Sequence, residues 1–229
     1  MARIIPDSRF EELIRAATEV FIAQGYRRTQ MADVAEAMGL AKGTVYLYVE
    51  SKEALFDVAV RYANRQEPAE LPKELPVPAP KQGSTVAYVA GALARGQQFP
   101  QLQAALERAR ARNVREEFEG ILRELYGLLN GNRTALKLID RCAADHPELA
   151  ALWFKRGREF LLELLVRYFE RRKRHLRPNL DLAIAARMVI ENLVLWAVHR
   201  YWDPAPQEMD DAVAEDTVVR VLLDGLMKE

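Results

Sequence analysis

Between Thr29 and Phe56 the chain reads TQMADVAEAMGLAKGTVYLYVESKEALF, and few folds accept that order of residues. Met31, Val34, Ala35 and Met38 recur at spacings of three and four, which marks a short helix with a narrow apolar stripe. Gly39 ends it, because glycine takes the left-handed conformation that a sharp turn demands. Leu40 plugs the turn. A second helix starts near Lys42, with Val45 and Val49 on one face while Lys42, Thr44, Tyr46 and Leu47 point elsewhere. The pattern is a helix-turn-helix, whose second helix presents its outer side chains to the DNA major groove.

The flanks continue the pattern. Pro6-Asp7-Ser8 announces a helix start, Phe10, Leu13, Ile14, Ala17 and Phe21 repeat at helical spacing, and Gly25 stops the run. That helix packs across the turn motif and completes its core. Another helix opens at Ser51, a good N-cap, and lines one side with Leu55, Val58, Ala59 and Tyr62 before fading near Gln66. The order helix, Gly-turn, K-G-T-V-Y-x-Y and then S-K-E-A-L-F resembles the DNA-binding domain of the TetR family of bacterial transcriptional regulators, over roughly residues 8 to 66. The resemblance implies that Lys42, Thr44, Tyr46 and Leu47 face DNA, that Tyr48 and Lys52 hold the phosphate backbone, and that Ala35, Gly39 and Val45 are packing positions. Thr29 and Gln30, at the mouth of the first motif helix, complete the expected DNA-binding set. There are departures from the family pattern. Gln30 and Ala41 stand where the family usually places capping Thr and Ser, a loss of about 1 kcal/mol each. Val49 replaces the usual Phe, so this small core must be filled some other way.

Charge does not single out the motif. The 229 residues carry 33 Lys or Arg against 33 Asp or Glu, and residues 1–66 are balanced as well, with nine of each. DNA binding needs a basic face rather than a basic chain, and Arg27, Arg28, Lys42 and Lys52 bracket the turn. Half of the residues are apolar, enough for a sizeable core, and the abundance of Ala, Leu, Glu and Arg favours helix. Cys142 is the sole cysteine, so no disulfide framework forms within the chain, as in a reducing cytoplasm. The N-terminal residues carry charges and no long apolar run, which argues against a secretory signal. The most apolar segment, 182–198, is interrupted by Arg187, Glu191 and Asn192 and is too short and polar to span a bilayer comfortably.

Pro68, Pro72, Pro76, Pro78 and Pro80 give residues 67–83 a different character, blocking helix and favouring a semi-rigid extended connection. The expected organisation is therefore a DNA-binding domain over 1–66, a proline-rich linker over 67–83, and a helical effector-binding and dimerisation domain over 84–229. In the family the preceding helix usually leads fairly directly into the second domain, so this segment looks like an insertion or an elongated linker. Beyond it, helices are expected over 86–98, 100–111, 116–129, 134–144, 147–175, 179–202 and 210–227, and no period-two strand pattern stands out. The fold expected is all-α.

The basic run Arg171 to Arg174 reads as the solvated, dipole-complementing end of a long helix. His146, His175 and His199 are scattered without metal-ligand spacing, and no phosphate-cradling glycine loop or nucleophile elbow is present. No metal, cofactor or enzyme activity is expected. Phe118, Tyr126, Trp153, Phe160 and Trp196 are rings that core packing alone accounts for one by one; together they are the candidates to line an apolar effector pocket. In the last two helices Ile184, Met188, Leu195, Val218, Val221 and Leu222 leave apolar surface on more than one side, which pairing with a second copy across a two-fold axis covers. The resemblance implies the same homodimer, and with it a repressor released from a palindromic double-stranded operator by an apolar or amphipathic small molecule. One alternative keeps the fold and DNA binding but places a protein partner on the second domain. Another, from a different class, is a helical enzyme or ligand carrier.

Overall fold

Side chains at the helix ends place most of the elements where the sequence predicts them. The structure, a computed structural model, describes residues 7–63, 72, 74–205 and 208–228. It is all-α among these residues, with α1 (Asp7–Gln24), α2 (Met31–Ala37), α3 (Lys42–Val45), α4 (Lys52–Tyr62), α5 (Ser84–Gly96) and α6 (Pro100–Glu107). These are followed by α7 (Val114–Gly131), α8 (Arg133–Ala143), α9 (Pro147–Ala150), α10 (Phe160–Arg172), α11 (Leu182–Ala197) and α12 (Asp211–Leu226). The Ser51 hydroxyl accepts the Ala54 amide at 3.2 Å and starts α4 as predicted. Asn113, Asp181 and Asp210 cap α7, α11 and α12 in the same way. Gly25 and Gly39 adopt φ of +79° and +64°, the left-handed geometry their turns require.

Several boundaries differ from the sequence reading. The helix expected over 147–175 is a helical run of changing pitch: α9, a π-helical stretch (Ala151–Glu159), α10, and a 3-10 turn (Lys173–His175). α6 stops at Glu107 rather than near residue 111, because the Arg172 guanidinium takes up the Ala105 and Arg108 carbonyls at its end, at 3.0 and 3.4 Å. Arg172 is thus no solvated helix end. It is 3% exposed and holds Glu117 in a buried ion pair at 2.8 Å. α11 starts at Leu182 because the Asp181 carboxylate caps Ala183 and Ile184, and it ends at Ala197, giving way to a 3-10 turn (His199–Trp202).

The chain forms two compact units that do not follow its linear order: Met1–Leu93 with Thr134–Trp153, and Ala94–Arg133 with Phe154–Glu229. In the first, α1 lies against α2 and α4, and α2 against α3, over a core of Phe10, Leu13, Phe21, Val34, Val45 and Leu55. Val49 is fully buried there, and rings enter that core from Phe21, Tyr26 and Phe56, with Phe21 and Phe56 meeting edge to face at 5.2 Å. In the second, α7, α10, α11 and α12 pack around Phe118, Ile121, Leu165, Phe169, Val189 and Leu193. The expected linear boundary at residue 66, and the linker stretches 67–71 and 73, lie outside the described residues.

Candidate nucleic-acid interface

The first unit builds the turn motif from both sides. α2 buries Met31, Val34 and Ala35, and the Leu40 amide returns to the Ala35 carbonyl at 2.8 Å, closing the turn around Gly39. The missing Thr cap at Gln30 is offset from the other end, since the Asp33 carboxylate accepts the Gln30 amide at 2.8 Å. Ala41 has no such substitute. With Val45 and Val49 fully buried, the opposite side of the α3 region is turned outward: Lys42 is exposed, Thr44 half-buried, Tyr46 41% and Leu47 50% exposed. A large ring and an isobutyl group in water beside a lysine have no packing rationale within the unit, and this row can enter a groove.

Three predicted contacts fall elsewhere. Thr29 is 1% exposed and its hydroxyl donates to the Gly25 carbonyl at 2.7 Å, so it closes the turn after α1 rather than meeting DNA. Tyr48 is 5% exposed, its ring part of the core. The Lys52 ammonium donates to the carbonyls of Tyr26, Arg27 and Thr29 at 3.1, 3.4 and 3.1 Å and lies 4.6 Å from the Tyr26 ring centre. An ammonium has three N–H donors, so Lys52 as placed anchors the turn before α2. Gln30, by contrast, is exposed at the mouth of α2.

Sequence reasoning missed what α8 and α9 contribute. Arg141 donates to the Ile22 and Ala23 carbonyls at the end of α1, at 2.9 and 3.1 Å, and the Asp145 carboxylate accepts the Arg27 amide at 2.8 Å. His146 stacks on Phe56 and lies 4.1 Å from the Tyr26 ring centre. Burial pushes the His146 pKa down and raises the Cys142 thiol to about 12, so the thiol stays protonated. Burial likewise raises the Tyr26 phenol.

The second unit does not gather the five rings proposed for a pocket. Trp153 belongs to the first unit, where its indole N–H donates to Asp140 at 3.0 Å. Phe118 and Tyr126 are fully buried, Phe118 packed against Tyr168 and Phe169, while Phe160 is 37% exposed. Of the five, Trp196 lines a cleft of about 490 Å³ between the end of α11 and the start of α12, with Leu195, Arg200, Tyr201, Met209 and Asp211 among its walls. Arg200 is held there by the Asp211 carboxylate and the Trp196 carbonyl. Of the predicted dimer residues, Ile184, Met188, Leu195 and Val221 are exposed, whereas Val218 and Leu222 are 6% exposed and pack inside their own unit. Among the described residues no helix is long and apolar enough to cross a membrane, and none of their His, Cys, Asp and Glu side chains cluster as a metal site would require.

An all-α chain with an outward row on the second helix of a glycine-centred turn is a helix-turn-helix protein. Residues 13–59 match the family model of bacterial regulatory proteins, tetR family, about a fifth of the chain. Over 45 residues it is 40% identical to the fatty acid metabolism regulator protein of Bacillus subtilis, covering 20% of this chain and 23% of that one. Over 50 residues it is 44% identical to the uncharacterized HTH-type transcriptional regulator YfiR of the same organism, 22% of this chain and 24% of the other. The chain thus matches about a quarter of the length of these curated relatives. The fold likeness extends further. The ketosteroid transcriptional regulator KstR2 of Mycobacterium tuberculosis aligns over 99% of this chain and 98% of its own, with a TM-score of 0.52 and 17% identity. The fatty acid degradation regulator FadR of Bacillus halodurans aligns over 98% of each, with a TM-score of 0.50 and 18% identity.

Proposed function

We propose that this chain is a DNA-binding transcriptional regulator that acts as a homodimer, a repressor that an apolar or amphipathic small molecule releases from a palindromic operator. The observation that carries the DNA half is the outward row of Lys42, Tyr46 and Leu47 on a segment whose opposite face is fully buried, inside the stretch that matches the family model. Lys42 offers charge to phosphate or to a guanine edge, and Leu47 suits a thymine methyl. Two copies related by a two-fold axis place two such rows on successive turns of the duplex. The dimer reading is supported by Ile184, Met188 and Leu195, which recur on one face of α11 at 63, 53 and 49% exposure, and by Val213 and Val221 on α12, both 64% exposed. The release reading is supported by the cleft at Trp196, whose apolar walls and Arg200–Asp211 pair fit an amphipathic molecule. A ligand releases DNA only if it binds the non-reading state more tightly. The protein would then work in the cytoplasm, beside its operator.

Selection of duplexes from a random library with purified protein tests the reading. A palindromic consensus, bound by two chains, is the expected result, and recovery of no enriched sequence overturns it. A thermal-shift screen of amphipathic compounds, followed by release assays on the selected duplex, tests the effector half.

A further inference from the structure

α3 is four residues long, far below the length at which a helix holds itself in water. The residues that continue it, 46–48, form tight turns through the Leu47 amide to the Thr44 carbonyl at 3.1 Å and the Tyr48 amide to the Val45 carbonyl at 3.0 Å. Their own outgoing groups need partners from elsewhere. Those partners come from the proline-rich segment. The Val77 amide donates to the Tyr48 carbonyl at 2.7 Å, the Glu50 amide donates to the Val77 carbonyl at 3.0 Å, and the Ala79 amide donates to the Glu50 carboxylate at 3.2 Å. Val49 and Val77 pair as an isolated parallel bridge.

The sequence of this segment suits that task. In Pro76-Val77-Pro78-Ala79-Pro80 the prolines have no N–H, so donors remain at alternate positions only. In an extended backbone residues two apart point their N–H groups to the same side, and both donors here are used on residues 48–50. The prolines leave the other side unable to recruit a further strand. Beyond the run the chain is tied down again. The Thr85 hydroxyl donates to the Asp57 carboxylate at 2.7 Å, the Tyr88 hydroxyl donates to the Arg61 carbonyl at 3.2 Å, and the Arg61 guanidinium lies 4.7 Å from the Tyr88 ring centre. The segment is therefore fastened at one end to the residues after the reading row and at the other to α4.

We propose that residues 76–80 of the proline-rich segment brace DNA reading, in that Val77 and Ala79 fix the backbone at 48–50 and thereby set the direction of Tyr46 and Leu47. The proposal rests on the DNA-reading function above and makes Val77 a positioning residue, acting through its main chain. The bracing groups are the uncharged main-chain groups of Val77 and Ala79, which support the geometry that discriminates bases, so they govern sequence preference rather than non-specific attraction.

The test uses the full chain and the duplex selected by the wild type. Val77→Pro removes the donor to Tyr48; Val77→Ala keeps it; Glu50→Ala removes the acceptor of the Ala79 amide. The expected result for Val77→Pro is about a tenfold loss of affinity for the selected duplex and a flatter preference in a repeated selection, the effect of one or two lost hydrogen bonds. Binding to an unselected duplex and its salt dependence should stay at wild-type values, and the melting temperature should fall by no more than the loss of one hydrogen bond implies. Val77→Ala should bind as wild type, and Glu50→Ala should lose a smaller part of the preference. Wild-type affinity and preference in Val77→Pro overturn the brace, as does an unprotected Glu50 amide in hydrogen exchange of the wild type. Should Val77→Pro melt early, Glu50→Ala decides: an altered preference supports the brace and an unaltered one overturns it. A wild-type protein that enriches no sequence overturns the DNA reading itself, before any variant is made.

Discussion

At the scale of single residues, charge has been used inside the protein as much as at its surface. Lys52 is a clear case: three carbonyls surround its ammonium, so Lys52→Met should lower stability by about 1–3 kcal/mol, as expected for hydrogen bonds to a charged group, and leave the salt dependence of DNA binding unchanged. Urea melts beside affinities at several salt concentrations check this; a salt slope reduced by one would return Lys52 to the phosphate backbone. Arg172 and Glu117, with side chains 4% and 7% exposed, form the second case. Glu117→Gln or Arg172→Leu leaves the other charge buried without its partner, and a loss of about 3–5 kcal/mol in denaturant midpoint experiments is expected. His146 gives a pH signature. Burial lowers its pKa below the ordinary value, so its neutral form is favoured in the folded chain, and the stability it contributes is full above about pH 6.5 and lost as pH falls below that. Melts at pH 7.5 and pH 5 should therefore differ less in His146→Phe than in the wild type; an equal difference would show that other groups carry the acid response.

At the scale of elements, helix starts were legible where a short polar side chain precedes an apolar run. Ser51 and Asp210 each begin a helix close to its predicted start, because the cap is a local hydrogen bond whose donor and acceptor are two or three residues apart. Helix ends that depend on distant residues were not legible. Arg172 stops α6 from more than sixty residues away, and nothing in residues 100–111 announces it. Faces were legible only in part. The exposed stripe of α11 and α12 agrees with the apolar excess in the sequence, but Val218 and Leu222 turned out to be internal, since a helix apolar all round does not say which side meets its own core. The dimer prediction is accordingly moved to the exposed residues: Met188→Glu or Val221→Glu should yield a folded monomer by light scattering at micromolar concentration, with an unshifted melt of the dilute protein. Val218→Glu should instead unfold the unit, because it buries a carboxylate without a partner. A wild-type chain that scatters as a monomer would remove the dimer altogether.

For the molecule as a whole, the sequence by itself determined the helical class and the turn motif, down to Lys42, Tyr46 and Leu47 as an outward row. These follow from spacings of three and four and from one glycine, and such local rules act within a turn or two of chain. The single proline-rich run was legible as a helix breaker, yet its alternation of donors and prolines became meaningful only with Tyr48 and Glu50 beside it. Tertiary structure alone decided that residues 134–153 join the N-terminal helices in one compact unit, that Thr29 and Tyr48 are interior, and that Lys52 serves the backbone. It also decided that the proposed pocket rings separate, with Trp196 at a cleft and Phe118 in a solid core. The physical reason is the same in each case. Burial and hydrogen-bond partnership are properties of residues brought together across tens of positions, and a one-dimensional pattern records the apolar or polar character of a side chain but not which neighbour will satisfy it.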